Sequence, residues 1–203
     1  MQHGRMSCHI LLIEGHPDAS RRHLNHVLAD AYCQGAIEAG HTVRRLWVAE
    51  LDFPLLRSQH EWESTPVPMG LRQAQADIAW AQHLVLLFPL WLGDMPAVLK
   101  GFLEQVARPD FAFKPDPNQP GNPFAAKGLT GRSARVVVTM GMPAVVYRWF
   151  YRAHSVKSLE RNILGFVGIA PVHETLVGQV DKLGSAGVAR WERRLRQLGR
   201  DAA

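Results

Sequence analysis

The first stretch of this sequence with side chains that could do chemistry runs from Gly15 to Asn25, and it is rich in hydrogen-bond donors. It contains His16, Ser20, Arg22, His23 and Asn25. Guanidinium groups donate charge-assisted hydrogen bonds to phosphate, and a helix that begins beside them adds its free backbone amides. The stretch therefore indicates an anion site. The alternative is that Ser20 only caps a helix and that the arginines lie in solvent.

Two further stretches carry aromatic side chains. Trp91 lies in an apolar segment after a strand-like run, where its ring could pack on a flat cofactor or fill a core or an interface. Tyr147 and His154 can both donate hydrogen bonds to a carbonyl or a developing oxyanion. The aromatic residues between them also suit a subunit interface, and both interpretations hold if a site lies between subunits.

The apolar pattern predicts the elements that position these stretches. Continuous apolar runs at 10–13 and 84–88 are typical of parallel strands buried on both faces. Pro89 then ends the strand, and Pro96 suits the first turn of the next helix. Further strands are predicted at 41–48, 134–143 and 172–177, with a closing helix at 183–199. Loops are predicted at 57–68 and 109–131, the second either ordered or disordered.

Composition limits the class of protein. The 203 residues suffice for one α/β domain, and 47% apolar with 20% charged residues is an ordinary globular composition. No apolar run reaches the length of a membrane span, and no secretory segment is visible at the start. Cys8 and Cys33 are too few for a disulfide framework. We therefore expect a single cytoplasmic domain over residues 1–203, with both thiols buried.

The net charge of +5 does not indicate nucleic-acid binding. Much of the excess lies in the closing segment at Arg190, Arg193, Arg194, Arg196 and Arg200, which alternate with leucines as on the solvated face of a helix. No nucleic-acid motif accompanies them. Attraction of an anionic dinucleotide explains the charge better.

Three motifs resemble one family. Phe88-Pro89-Leu90-Trp91, followed by Met95-Pro96-Ala97-Val98-Leu99-Lys100-Gly101-Phe102, resembles the signature of the flavodoxin-like NAD(P)H:quinone oxidoreductases, although Trp91 sits one place earlier than in some members. Gly15-His16-Pro17 and Leu24-Asn25 resemble that family's phosphate loop, with Arg22 where its serine usually stands. Val138-Thr139-Met140-Gly141 resembles its Thr-Thr-Gly-Gly loop. The resemblance covers residues 8 to 180.

The resemblance implies a doubly wound, five-stranded parallel sheet of order 2-1-3-4-5, of the flavodoxin-like α/β class. It also implies non-covalent FMN or FAD and a homodimer with Trp149, Phe150 and Tyr151 at the interface. The implied flavin-binding residues are His16, Ser20, Arg22, His23, Leu24, Asn25, Pro89, Leu90, Trp91, Leu92, Thr139, Met140, Gly141 and Met142. Tyr147 falls where the family has its active-site tyrosine, and His154 lies one place after the family's histidine, so the resemblance implies both as catalytic donors.

The implied activity is ping-pong, two-electron transfer from NAD(P)H to the flavin and then to a quinone or a similar small aromatic acceptor. Azo or nitro reduction is an alternative within enzymology, because a flavin can reduce many acceptors. Another alternative is a nucleotide-sensing regulatory flavoprotein that contacts a potassium efflux antiporter. A metal hydrolase is discounted, since His23 and His26 lack further ligands nearby.

Overall fold

The computed structural model describes residues 7–114 and 126–203. Within them the strands are β1 (His9–Glu14), β2 (Thr42–Trp47), β3 (His83–Pro89), β4 (Phe113–Lys114), β5 (Ala126–Lys127), β6 (Ser133–Thr139) and β7 (Val172–Val177). The helices are α1 (Leu24–Glu38), α2 (Gln59–Ser64), α3 (Arg72–Trp80), α4 (Ala97–Val106), α5 (Pro109–Ala112), α6 (Ala144–Trp149), α7 (His154–Ser158), α8 (Gly165–Val167) and α9 (Gly184–Asp201). A π-helix (Leu159–Leu164) joins α7 to α8, and single 3₁₀ turns occupy Val48–Glu50, Met69–Leu71 and Val180–Lys182.

Five parallel strands form the central sheet in the order β2-β1-β3-β6-β7. Counted along this sheet, the order is 2-1-3-4-5, so the predicted topology is confirmed. All seven residues of β3 are buried, as its unbroken apolar run predicts for a central strand covered on both faces. Pro89 is the last residue of β3, opposite Thr139 of β6. β4 and β5 form a separate antiparallel pair.

Helices α1 and α9 cover one face of the sheet. Their apolar side chains pack on Ile10, Leu12, Val85, Leu87 and Val137. The two helices approach closely because each has a glycine at the contact. A Cβ atom on Gly35 would lie 1.9 Å from the carbonyl oxygen of Arg196, and one on Gly199 would lie 2.0 Å from that of Tyr32. The opposite face carries the larger apolar core, which includes residues of α3, α4, α6 and α7.

The loop predicted at 57–68 contains helix α2, so that prediction was wrong. Ser58 caps the helix, because its hydroxyl accepts a hydrogen bond of 3.1 Å from the Glu61 amide. The buried Arg108 guanidinium donates to the carbonyl oxygens of Glu61 and Trp62, which fixes the helix against the body of the domain. A polar helix held in this way has no apolar periodicity to reveal it.

The segment 109–131, which is rich in proline and glycine, lies only partly within the described residues. α5, β4 and β5 are ordered elements within this stretch, and residues 115–125 lie outside the described part of the chain. Cys8 lies just before β1 and Cys33 within α1, and both thiols are half-buried and free, although burial was expected. Among the described helices, none combines the length and apolar character needed to cross a bilayer.

Candidate functional site

The candidate site residues lie on loops at one edge of the sheet. Strands β1, β3 and β6 end side by side, since Glu14 pairs with Leu87 and Pro89 pairs with Thr139. The loops that leave them therefore begin at the same edge, where open α/β sheets bind ligands. The segment after β7 joins them, because the Gln179 amide donates to the Met142 carbonyl at 3.0 Å.

Asp18 organises the β1–α1 loop (Gly15–His23). Its carboxylate accepts hydrogen bonds from the Ser20 amide at 2.8 Å and the Ser20 hydroxyl at 2.5 Å. Its other oxygen lies 2.8 Å from His23 Nε2. The bonds from Ser20 and then from His23 hold the pKa of the Asp18 carboxyl well below its usual range. An ionised carboxylate thus already accepts the hydrogen bonds of two predicted phosphate-binding residues.

Aromatic rings stack behind this loop. His16 stacks on His23 with ring centroids 3.8 Å apart, and the rings of His16 and Trp91 meet edge-on with centroids 5.9 Å apart. His26 meets both histidines edge-on and stacks on Trp47 at 5.1 Å. Burial, with smaller effects of His23 and His26, lowers the pKa of His16 to about 4, so this imidazole is neutral near neutral pH.

Arg22 and Leu24 lie at the margins of the loop. The Arg22 guanidinium donates to Asp30 at 2.6 Å, and Arg45 binds the other oxygen of the same carboxylate at 2.7 Å. Leu24 begins α1 and packs against the apolar core under that helix. The charge of Arg22 is therefore balanced by Asp30, and Leu24 has a packing role.

Asn25 connects the loop to β6 and has an unused donor. Its Oδ1 atom accepts a hydrogen bond of 2.8 Å from the buried Thr139 hydroxyl. The Asn25 side chain is 2% exposed, and its Nδ2 atom has no hydrogen-bond partner among the residues that the structure describes. A buried amide donor without an acceptor is costly, and an oxygen from a ligand would satisfy it. The first backbone amides of α1, at Leu24 and Asn25, also lack acceptors within the helix.

The segment after β3 presents Trp91 on a tight turn. The backbone groups of Trp91 and Asp94 exchange two hydrogen bonds of 2.9 and 3.0 Å. Between them Leu92 and Gly93 have φ angles of +48° and +85°, the pattern of a turn that favours asparagine or glycine. Leu92 is fully exposed and Trp91 is half-exposed. Leu90 anchors the segment, because its amide donates to the Thr139 carbonyl at 2.8 Å.

The loop after β6 turns its methionines toward the core. Met140 is 3% exposed, and Met142 packs against the same apolar core. A Cβ atom added to the exposed Gly141 would have only Asp181 Oδ2 near it, at 3.4 Å. The methionine side chains are therefore accommodated below the loop.

Tyr147 and His154 have different surroundings. Tyr147 is 2% exposed, and its hydroxyl lies 2.6 Å from Ser155 Oγ and accepts a 3.3 Å hydrogen bond from the Val156 amide. It thereby joins α6 to α7. His154 is exposed at the first position of α7. The structure brings the Tyr147 hydroxyl to the α6–α7 joint and leaves the His154 side chain accessible.

An exposed group of apolar side chains accompanies these loops. We call Trp91, Leu92, Trp149, Phe150 and Tyr151 the apolar rim. Trp149 and Phe150 are 76% and 77% exposed, and the rest of the rim is at least half-exposed. Val145 and Val146 of α6 are exposed as well. Consecutive exposed aromatic residues such as Trp149, Phe150 and Tyr151 are unusual on a monomer surface and indicate a binding surface.

A family model described as "Flavodoxin-like fold" matches residues 8–198. The chain belongs to this family. Among its curated relatives is an uncharacterized NAD(P)H oxidoreductase of Haemophilus influenzae, which is 26% identical over 84% of this chain and 83% of its own length. A ribosyldihydronicotinamide dehydrogenase-like protein of Penicillium crustosum is 27% identical over 65% of this chain, and the match spans 57% of that relative's length.

Solved structures agree on the fold of this flavodoxin-like chain. An NAD(P)H:quinone oxidoreductase from Methanothermobacter marburgensis superposes with a TM-score of 0.80, covers 97% of each chain and is 24% identical. The sequence patterns placed the three predicted loops at one edge of the sheet, but they did not single out Asp18, His26 or Trp47. Asp18 stands two residues before Ser20, which is the spacing of an Asx turn, so its role in shaping the loop could have been predicted from the sequence. The ring contacts of His26 and Trp47 depend on packing between α1 and β2 and left no local signal.

Proposed function

We propose that the protein is a flavin-dependent NAD(P)H oxidoreductase that reduces quinones or similar small aromatic acceptors. The observation that carries the proposal is the juxtaposition of the unpartnered Asn25 amide and the half-exposed Trp91 ring at one sheet edge. The names of the relatives support the activity, and the family supports the cofactor. These residues fit a planar ring system that carries a phosphate.

At the phosphate end, the chain supplies neutral donors rather than free cations. Asn25 Nδ2 and the first amides of α1 are available to phosphate oxygens, and the positive end of the helix dipole favours the anion. Asp18 keeps Ser20 and His23 in place by accepting their hydrogen bonds. Arg21 is 3.6 Å from Asp18 and has an exposed side chain, so it offsets the negative charge of the carboxylate.

At the ring end, Trp91 and the backbone of Thr139–Met142 hold the isoalloxazine. Bound flavin would supply the two-electron chemistry between NAD(P)H and the acceptor. His154 is proposed as the hydrogen-bond donor to the acceptor oxygen, since its side chain is accessible. Tyr147 positions His154 through Ser155 at the start of α7, and it could itself donate only after leaving that bond. If NAD(P)H and the acceptor bind one after the other at the same face of the flavin, the kinetic mechanism is ping-pong.

The apolar rim supports a homodimer with the site near the interface. Trp149 and Phe150 expose large apolar areas that a second copy would cover, and two-fold dimers are the commonest assemblies of soluble proteins. A symmetric contact would also shield the ring end of the site from water.

The cofactor is tested by titrating the purified chain with FMN, FAD and riboflavin and following flavin fluorescence. FMN or FAD should bind at least about tenfold more tightly than riboflavin, because hydrogen bonds to a charged phosphate contribute about 1.5–3 kcal/mol. Anaerobic NADH or NADPH should then bleach the visible flavin band. The proposal would be refuted if the protein, incubated with FMN or with FAD and then separated from free flavin, were colourless.

The acceptor is tested by initial-rate kinetics with a quinone, an azo dye and a nitroaromatic compound. A ping-pong mechanism predicts parallel double-reciprocal plots, whereas intersecting plots would contradict it. Tyr147→Phe and His154→Gln should each slow one half-reaction in stopped-flow measurements and leave flavin bound. Removal of one preorganised donor typically costs about 10²–10³ in rate. His60→Gln, at an exposed histidine of α2, is the control.

A further inference from the structure

A second group of polar side chains lies at the opposite, amino-terminal edge of the sheet. Tyr32, His83 and Arg135 are 0%, 1% and 8% exposed. Within the described part of the chain, each leaves one buried atom without a hydrogen-bond partner: the Tyr32 hydroxyl, His83 Nε2 and Arg135 Nε. His83 begins β3 and Arg135 lies near the start of β6. We call these three residues the amino-edge cluster.

The cluster lies under α1 and α9. His83 shares its strand face with Val85, and Arg135 shares its face with Val137, because side chains two apart on a strand point the same way. Val85, Val137 and Tyr32 belong to the apolar core below these two helices. This places the cluster within the layer between helices and sheet.

The hydrogen bonds already made leave mainly donors unused. His83 Nδ1 lies 2.7 Å from the Ser133 hydroxyl, and Arg135 Nη1 donates to the Thr175 hydroxyl at 2.8 Å. Burial and then the Arg135 charge lower the pKa of His83 to about 4, so the ring is neutral near neutral pH. When the Ser133 hydroxyl donates to Nδ1, the hydrogen of His83 lies on Nε2. The unused groups are then an imidazole N–H, a guanidinium N–H and a phenol O–H.

The buried Arg135 guanidinium carries a positive charge. Within residues 7–114 and 126–203, no carboxylate pairs with it, whereas the half-buried Arg45 binds both Glu14 and Asp30. Burial, with a smaller repulsion from Arg194, lowers the pKa of Arg135. A buried charge normally requires a partner, because its desolvation is expensive. The cluster therefore carries one unbalanced positive charge and three unused polar groups.

We propose that Tyr32, His83 and Arg135 bind a small inorganic monoanion of the halide class at the amino edge of the sheet. One negative charge balances the single guanidinium, and N–H and O–H groups are the donors that a halide accepts. Because all three residues are buried under α1 and α9, the proposed anion is a small one. The site is independent of the proposed flavin site, which lies at the other ends of the same strands.

Thermal unfolding of the full chain tests this proposal. Sodium chloride is exchanged for sodium gluconate at constant total sodium, so that ionic strength is unchanged and the second anion is too large to enter. The melting temperature should rise saturably with chloride, by about 3–6 °C at about ten times the dissociation constant. Bromide should replace chloride and give an anomalous peak beside Arg135 in a crystal. A melting temperature independent of the anion, or only water at that place, would overturn the proposal.

Two variants and one control locate the effect. Arg135→Met should abolish the chloride dependence, whereas Arg194→Met, which removes a neighbouring exposed charge, should keep it. Tyr32→Phe removes only a hydroxyl and should raise the apparent dissociation constant for chloride about tenfold. If Arg135→Met does not fold, the Tyr32→Phe titration decides alone. Chloride dependence that is unchanged in Tyr32→Phe, or equal loss in Arg194→Met, would contradict the assignment.

Discussion

The β1–α1 loop and the apolar rim lie at the same edge of the sheet, but their side chains find partners in different ways. In the loop, Asp18 accepts bonds from Ser20 and His23, and the histidine rings stack on one another. In the rim, Trp149 and Phe150 are more than three-quarters exposed. Polar groups in a loop can be satisfied locally by neighbours in sequence, whereas an apolar surface needs a body large enough to cover it.

This difference separates two kinds of preorganisation. The loop makes its hydrogen bonds among its own side chains, and within the described residues the buried Asn25 Nδ2 atom beside it is left without a partner. The rim keeps its aromatic side chains exposed in the monomer. We therefore expect changes in the loop to alter ligand affinity and changes in the rim to alter assembly.

The largest effect is expected from a charge in the rim. Phe150→Asp should convert the proposed dimer to monomer, because a buried phenylalanine contributes about 1.5–3 kcal/mol and a two-fold contact counts each substitution twice. The dissociation constant should rise by about 10²–10⁴-fold in sedimentation equilibrium. Ile37→Asp, at an exposed position near the end of α1, should leave assembly unchanged. A wild-type chain that sediments as a monomer at micromolar concentration would refute the interface.

A smaller effect is expected from one atom of the loop. Asn25→Asp keeps the oxygen that accepts from Thr139 and replaces the unused Nδ2 donor by a second oxygen. Affinity for FMN should fall about 10–100-fold through loss of a bond to a charged group and added repulsion, while affinity for riboflavin should stay within about threefold. Equal losses for both ligands would mean that Asn25 does not contact phosphate.

The next effect is the dependence of folding stability on pH. His16 and His83 both have a pKa of about 4 in the folded chain against an ordinary value of 6.5, so the unfolded chain binds protons first as pH falls. Each residue thus contributes stability above pH 6.5 that is lost toward pH 4. Between pH 6.5 and 5 the free energy of unfolding should fall by about 1.5 kcal/mol for each histidine.

Denaturant unfolding of His16→Asn, His83→Asn and the exposed-site control His60→Asn measures these contributions. The first two variants should show a shallower pH dependence than wild type, and the control should match wild type. Saturating inorganic phosphate should reduce the contribution of His16, which lies in the loop, and leave that of His83 unchanged. An unaltered slope in His16→Asn would show that its imidazole is not held neutral by burial.

The parts of the fold and of the candidate site that could be predicted are those with local signals in the sequence. Strand runs such as 84–88 and the prolines that bound them are local signals, and they sufficed to place the three loops at one edge. The resemblance of Gly15-His16-Pro17 and Phe88-Pro89-Leu90-Trp91 to known motifs identified the loops as candidate flavin contacts. The stack of His26 on Trp47 and the bond from Thr139 to Asn25 join residues that are distant in sequence. No local sequence pattern predicts such contacts. The buried position of the Tyr147 hydroxyl could not be predicted either, because it depends on how α6 packs against α7.

The smallest effect is expected from the backbone of two strained turns, one within the apolar rim at Leu92 and one directly after it at Arg152. Leu92 and Arg152 have φ angles of +48° and +54° without being glycine, a conformation that costs about 1–2 kcal/mol for most residues. Asparagine tolerates it better, so Leu92→Asn and Arg152→Asn should each raise the free energy of unfolding by about 0.5–1 kcal/mol in urea. Leu92 is also part of the rim, and its fully exposed side chain loses no packing within the monomer. Leu92→Asn should therefore weaken the dimer while it stabilises the fold, whereas Arg152→Asn, which removes no apolar side chain, should only stabilise the fold. If both variants leave the dimer dissociation constant unchanged, the interface does not extend to the Trp91 turn.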